Sequence, residues 1–181
     1  MEKEIVLVSL FAALIAVLGL APKVMLASGV PITAQSLGIM LCGTVLGAKR
    51  GALAVLLFIT LTALGLPLLS GGRGGLGVFA SPSVGFIVGF PLAAFVAGWI
   101  TSRLKLINVF YSSLLGAIIG GILILYIPGI VGMSIMLDKS ISEAALIALI
   151  YLPGDCIKAF LCAILTYTLF KLRPENVLSR I

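Results

Sequence analysis

Six long apolar runs, at about 5–21, 33–48, 51–69, 82–100, 107–131 and 143–170, make up most of the chain, and polar residues collect between them. Runs of this length are what a helix needs to cross the hydrocarbon core of a bilayer. The pattern predicts an all-α, polytopic membrane protein with six transmembrane helices, and residues 1–181 as a single domain. Lys49 and Arg50 mark the turn between the second and third runs, Arg103 and Lys105 the edge after the fourth, and residues 132–142 an exposed loop with Asp138 and Lys139. Residues 22–32 are broken by proline and glycine and read as a connection or short lid over one membrane face. The first run is read as a retained helix, because Glu2, Lys3 and Glu4 mix both signs before it and no A-x-A site precedes Pro22.

Small residues recur at helical spacing inside the runs. Gly43, Gly47 and Gly51 lie four apart, as do Gly85 and Gly89, which predicts close backbone contacts between helices. Ala12 and Ala16 form a small-xxx-small pair on the first helix, either for packing inside the bundle or for a partner helix.

The composition supports the membrane reading, with 61% hydrophobic and 10% charged residues. A net charge of +6 does not indicate nucleic acid here, since the cations sit singly or in pairs at run ends with no basic stripe and interleaved aromatics. Their distribution is topological. With both termini cytoplasmic, Lys3, Lys49, Arg50, Arg103, Lys105, Lys171, Arg173 and Arg180 fall inside, and only Lys23, Arg73 and Lys139 fall outside. The chain has no histidine, which removes His-based metal sites and His-dependent catalysis. Cys42, Cys156 and Cys162 lie within apolar runs and form no C-x-x-C, so they suggest neither a disulfide framework nor a metal site.

Two stretches carry candidate chemistry. Five of the seven residues from Gly71 to Gly77 are glycine, with Arg73 among them, in a loop between the third and fourth helices that this topology makes extracellular. Such a backbone can approach a ligand closely, so Arg73 and the adjoining Gly74 are candidate ligand contacts. Gly72, Gly74 and Gly77 also fit G-x-G-x-x-G, but no strand precedes them and no βαβ unit surrounds them, so a dinucleotide site is not implied. The second stretch is Pro153-Gly154, which interrupts the sixth run, followed by Asp155 and Lys158 three residues apart on one helix face, with Tyr151 on the same face. Lys158 lies thirteen residues, about 20 Å of helix, from Lys171, which places both charges inside the membrane. Intramembrane charges mark substrate or ion pathways, or else a structural ion pair that bridges helices. Thr33, Gln35 and Ser36 open the second helix; capping accounts for Thr33, and Gln35 is the better ligand candidate because an amide both donates and accepts.

Pro31-Ile-Thr-Ala-Gln35, Leu66-Pro67, the Gly71–Gly77 loop, Pro82-Ser-Val-Gly85 through Gly89-Phe90, and Pro153-Gly-Asp155 with Lys158 together resemble the BioY biotin transport proteins, over most of the chain. The resemblance implies a substrate-capture subunit of an energy-coupling factor transporter in the cytoplasmic membrane of a prokaryote. It implies biotin as ligand, no cofactor, and partners that supply an energising transmembrane subunit and ATPase subunits. It also implies that Ala12 and Ala16 meet that transmembrane subunit. For biotin, Asp155 and Gln35 would read the ureido group, Lys158 or Arg73 would neutralise the carboxylate, and Phe79 and Tyr151 would cover the ring. No Walker A motif is present, so ATP would be used only by a partner. The alternatives are a membrane-embedded enzyme acting through Asp155 and a self-sufficient carrier. Against the enzyme stand the missing histidine and the lack of a second intramembrane carboxylate.

Overall fold

The protein, described by a computed structural model over residues 2–181, is a bundle of six helical segments: α1 (Glu2–Leu18), α2 (Gln35–Leu46), α3 (Ala48–Ala63), α4 (Val84–Arg103), α5 (Val109–Leu137) and α6 (Ile141–Leu172). The last three are long and apolar enough to cross a membrane unaided. α2 is not. Its 12 residues rise about 18 Å, and only Ser36 and Leu37 among them escape burial. It is therefore an internal post around which α1, α3, α4 and α6 pack, whereas the apolar run had predicted a full span over 33–48. Ala34 holds the N-cap position without a side-chain cap, and Thr33, one residue earlier, accepts from the Gln35 N–H on Oγ1 at 3.2 Å.

Glycine makes the close contacts around this post. A methyl group on Gly43 would collide with Ala97 of α4, and one on Gly51 with the Cys42 carbonyl of α2. Gly47, in the same series, is instead the joint between α2 and α3, with φ 82° and ψ 177°. Gly85 and Gly89 seat α4 on α5, where a side chain would strike the Pro128 carbonyl and ring respectively. Cys42 and Cys162 are buried and unpaired, as small membrane hydrophobes.

α5 runs six residues beyond its expected end at 131, and the loop that follows shrinks to Asp138, Lys139 and Ser140. Pro128 does not stop it. A π-helical turn, Ile119–Ile124, comes just before and ends at the residue four positions ahead of Pro128, whose carbonyl has no proline N–H to accept. The helix ends at Asp138, which takes a left-handed conformation at φ 51°. In α6 the expected interruption is a single 3-10 turn, Leu149–Tyr151, after which Pro153 sits in the first turn of the following α-helix.

The connections sort to the two ends of the bundle. At one end Arg50 meets Glu4, Ser179 N donates to Val45 O at 3.0 Å, and Lys105 Nζ reaches Ile181 O at 2.9 Å. At the other end, residues 22–33 form a short antiparallel hairpin, Val24–Met25 paired with Pro31–Ile32. The glycine loop lies beside it and begins as a tight turn in which Leu69 and Arg73 exchange backbone hydrogen bonds of 3.0 and 3.2 Å. Gly71 and Gly72 take φ of 81° and 70° there, and a methyl on Gly71 would occupy the position of the Lys23 ammonium.

Candidate functional site

Beneath the hairpin and the glycine loop lies a cavity with about 630 Å³ of empty space, open side included. That is within the range of sites that hold one small molecule. Its walls are mostly apolar: Val30, Ile32 and Pro31 from the hairpin, Leu69 from the loop, Phe86, Ile87 and Phe90 from α4, and Leu125 from α5. Polar groups converge at two places, Ser36, Asp155 and Lys158 on one side and Arg73 on another.

The first polar group is a closed network. Asp155, 7% exposed, accepts from Lys158 Nζ at 2.9 Å and Ser36 Oγ at 3.1 Å on Oδ1, and from Tyr126 OH at 2.8 Å on Oδ2. Lys158 Nζ also donates to Ser36 Oγ at 3.0 Å. The one-turn spacing of Asp155 and Lys158 on α6 brings the ion pair together, and Ser36 on α2 and Tyr126 on α5 fix it from two sides. A carboxylate offers four lone-pair positions and an ammonium three N–H bonds. After these contacts Asp155 keeps one acceptor position on Oδ2, and Lys158 keeps one donor.

Tyr151 lines the cavity with its ring while its hydroxyl is anchored, bonded to Ser28 Oγ at 2.6 Å and donating to Val30 O at 3.2 Å. These bonds tie α6 to the hairpin. Phe86 stands edge-on to both Tyr126 and Tyr151, with centroids 6.0 and 6.2 Å away. Arg73 is held by its backbone turn, its Nε donates to Ser70 O at 3.4 Å, and it forms no ion pair among the described residues.

Several residues singled out in the sequence are engaged in the fold. Gln35 borders the cavity but is 3% exposed and spent on the fold: Nε2 donates to Ile15 O at 3.2 Å and Leu68 O at 3.0 Å, and Oε1 accepts from Ser70 N at 3.0 Å. Its neighbour Ser36 is the α2 residue that meets the ion pair. Gly74 is not on the cavity wall; its lack of a side chain lets the loop lie against the Leu66 carbonyl. Phe79 is turned onto the main core by the 3-10 turn Leu76–Ala80, and Phe86 and Phe90 stand where it was expected. The sequence signal for those two was the repeat Gly85-Phe86 and Gly89-Phe90: the glycines face α5, which turns the adjacent phenylalanines to the cavity. On α1, Ala12 is buried at 4% in the chain's own core and Ala16 packs against that core, while Ser9 and Ala13 lie on the outer face.

The profile of the BioY family matches residues 2–175. The chain belongs to the BioY family. It is 46% identical over 189 residues to the biotin transporter BioY of Rhodobacter capsulatus, across 99% of this chain and 100% of that one. Identity to the biotin transporter BioY of Rhizobium etli is 48% over 171 residues, 90% of each chain. Among solved structures, the S-component for biotin from an ECF-type ABC transporter, a crystal structure at 2.1 Å, matches with a TM-score of 0.88 and 30% identity over 93% of this chain and 91% of that one. BioY proteins are multi-pass membrane transport proteins, so the enzyme alternative falls away.

Proposed function

We propose that this chain captures biotin from the outer side of a prokaryotic cytoplasmic membrane, as the substrate-binding subunit of an energy-coupling factor transporter. One observation carries the reading: Asp155 and Lys158, each with one hydrogen-bonding position left over, both line a cavity whose walls are mostly apolar. A ureido group presents an N–H and a carbonyl on one small planar head and matches that pair. Its N–H goes to Asp155 Oδ2 and its carbonyl to Lys158 Nζ. Phe86, Phe90 and Tyr151 cover the thioether ring. Because Lys158 is committed to Asp155, the carboxylate tail goes to Arg73, a cavity-lining cation that forms no ion pair among the described residues.

The end of the bundle that carries Arg50, Lys105 and Arg180 faces the cytoplasm by the positive-inside rule, and the cavity faces out. Energy comes from ATPase subunits acting through a transmembrane partner. That partner docks on the outer face of α1, where Ser9 and Ala13 are the small exposed residues.

Equilibrium binding of a panel of vitamins to the purified chain, without nucleotide, tests this. Biotin binds in that assay and unrelated vitamins do not; a protein that is folded and does not bind biotin overturns the proposal. Accumulation of biotin in liposomes by the chain alone would favour a self-sufficient carrier.

A further inference from the structure

At the opposite end of the bundle, the turn between α4 and α5 and the last turns of α6 enclose an open groove with about 680 Å³ of empty space. Lys105, Lys171 and Arg180 line it, together with Asn108, Tyr167 and Phe170, and no carboxylate side chain does. Arg180 is fixed by neutral oxygens alone: Nη1 donates to Thr101 O, Leu104 O and Ser112 Oγ at 3.1, 2.9 and 3.2 Å, and Nη2 to Lys105 O and Ile107 O at 3.0 and 2.7 Å. These bonds hold its position and leave its charge unneutralised. Lys171 lies over the Tyr167 ring at 4.8 Å, and Lys105 Nζ donates to Ile181 O, at the end of the sequence. None of the three cations forms an ion pair with an acidic side chain among the described residues. The recess thus carries net positive charge, a field that attracts an anion.

The surroundings say which anion. Leu106, on the groove, is 104% exposed, and Leu172, next in sequence to the groove-lining Lys171, is 72% exposed, so exposed apolar residues accompany the cations there. Trp99, one turn from the end of α4 and stacked under Arg103 at 5.7 Å, marks this level as a membrane–water interface. A soluble anion has no use for the leucines, whereas acyl chains cover them. We infer that this groove binds the headgroup of an anionic phospholipid of the inner leaflet, its phosphate between Lys105 and Lys171 and its acyl chains along Leu106 and Leu172. Basic recesses between helices at this depth suit such headgroups. α1 packs chiefly on α2 and α3, so a partner docked on α1 leaves the groove to lipid.

The test titrates the full chain, in neutral detergent, with short-chain phosphatidylglycerol, short-chain phosphatidylcholine and inorganic phosphate, and reads heat of binding. Phosphatidylglycerol saturates a site, phosphatidylcholine does not, and inorganic phosphate competes weakly. Lys105→Gln with Lys171→Gln weakens phosphatidylglycerol about thirtyfold, the effect of two cations at an anionic surface. Lys49→Gln with Arg103→Gln removes the same charge from the same end outside the groove and changes little. Biotin binding by each variant confirms that it is folded. Equal loss in both variants would reduce the effect to general surface charge, and inorganic phosphate binding as tightly as the lipid would make this a soluble-anion site. Unchanged lipid affinity in the groove variant, with loss of co-purifying transporter subunits, would make it a protein contact. Any of the three overturns the inference.

Discussion

Lys158 Nζ lies 2.9 Å from Asp155 Oδ1, one helical turn away on α6, and the two share Ser36 Oγ as a common partner. An acid and a base so placed in the membrane neutralise each other, yet both line the cavity and each retains one free hydrogen-bonding position. A pair serving stability alone would gain nothing from facing a pocket.

Asp155→Asn keeps shape but exchanges an acceptor for a donor, and Lys158→Met keeps the stem but removes the cation. Each is expected to weaken biotin binding about ten- to a hundredfold, the usual range for one lost charge-assisted hydrogen bond. The double variant carries no unpaired charge, so it should regain thermal stability without regaining affinity. Titrating biotin against the three folded proteins decides the matter; wild-type affinity in the double variant would remove both residues from the site.

Gln35→Leu is expected to act on the fold. It strands Ser70 N and Leu68 O, and an unsatisfied buried polar group costs about 1–3 kcal/mol. The melting temperature in detergent should fall clearly, while biotin affinity, measured well below the transition, falls much less than in Asp155→Asn. The reverse order of effects would return Gln35 to the ligand.

The difference between Gln35 and Ser36 shows where sequence reasoning reached its limit. Run length and charge placement carried six helices, their order and the intramembrane pair, because the bilayer imposes one period and one thickness on every span. Neighbouring residues on a helix are rotated by about 100°, so which of Gln35 and Ser36 faces α6 depends on how α2 is rolled. That roll is set by Gly43 against α4 and Gly51 against α2, a three-body fit with no signature in one run of residues. Ala12 shows the same limit. Its spacing from Ala16 identifies a small-residue face but not the side of α1 that meets the core. Tyr126 could have been suspected as the tyrosine that lies two residues before Pro128, deep in an apolar run.

Arg73→Gln should separate the tail of the ligand from its head. With the guanidinium gone, biotin binding is expected to weaken about tenfold or more, whereas biotin methyl ester, which has no carboxylate, should bind the variant and the wild type alike. Equal losses for acid and ester would mean that Arg73 supports the loop and does not contact the carboxylate.

The outer face of α1 gives the last prediction. Ser9→Leu with Ala13→Leu adds bulk where the residues are exposed, so the bundle and its biotin affinity should be unchanged. A helix that must approach closely at that face would be held off, and the energising module should no longer co-purify. Ala12→Leu behaves differently, since Ala12 is 4% exposed and already packed; overfilling such a site typically costs about 1–3 kcal/mol. It should lower the melting temperature, and any loss of assembly should follow that loss of fold. Retained co-purification with Ser9→Leu and Ala13→Leu, alongside lost assembly in an Ala12→Leu protein of normal stability, would mean that α1 rolls on docking and presents its buried alanines to the partner.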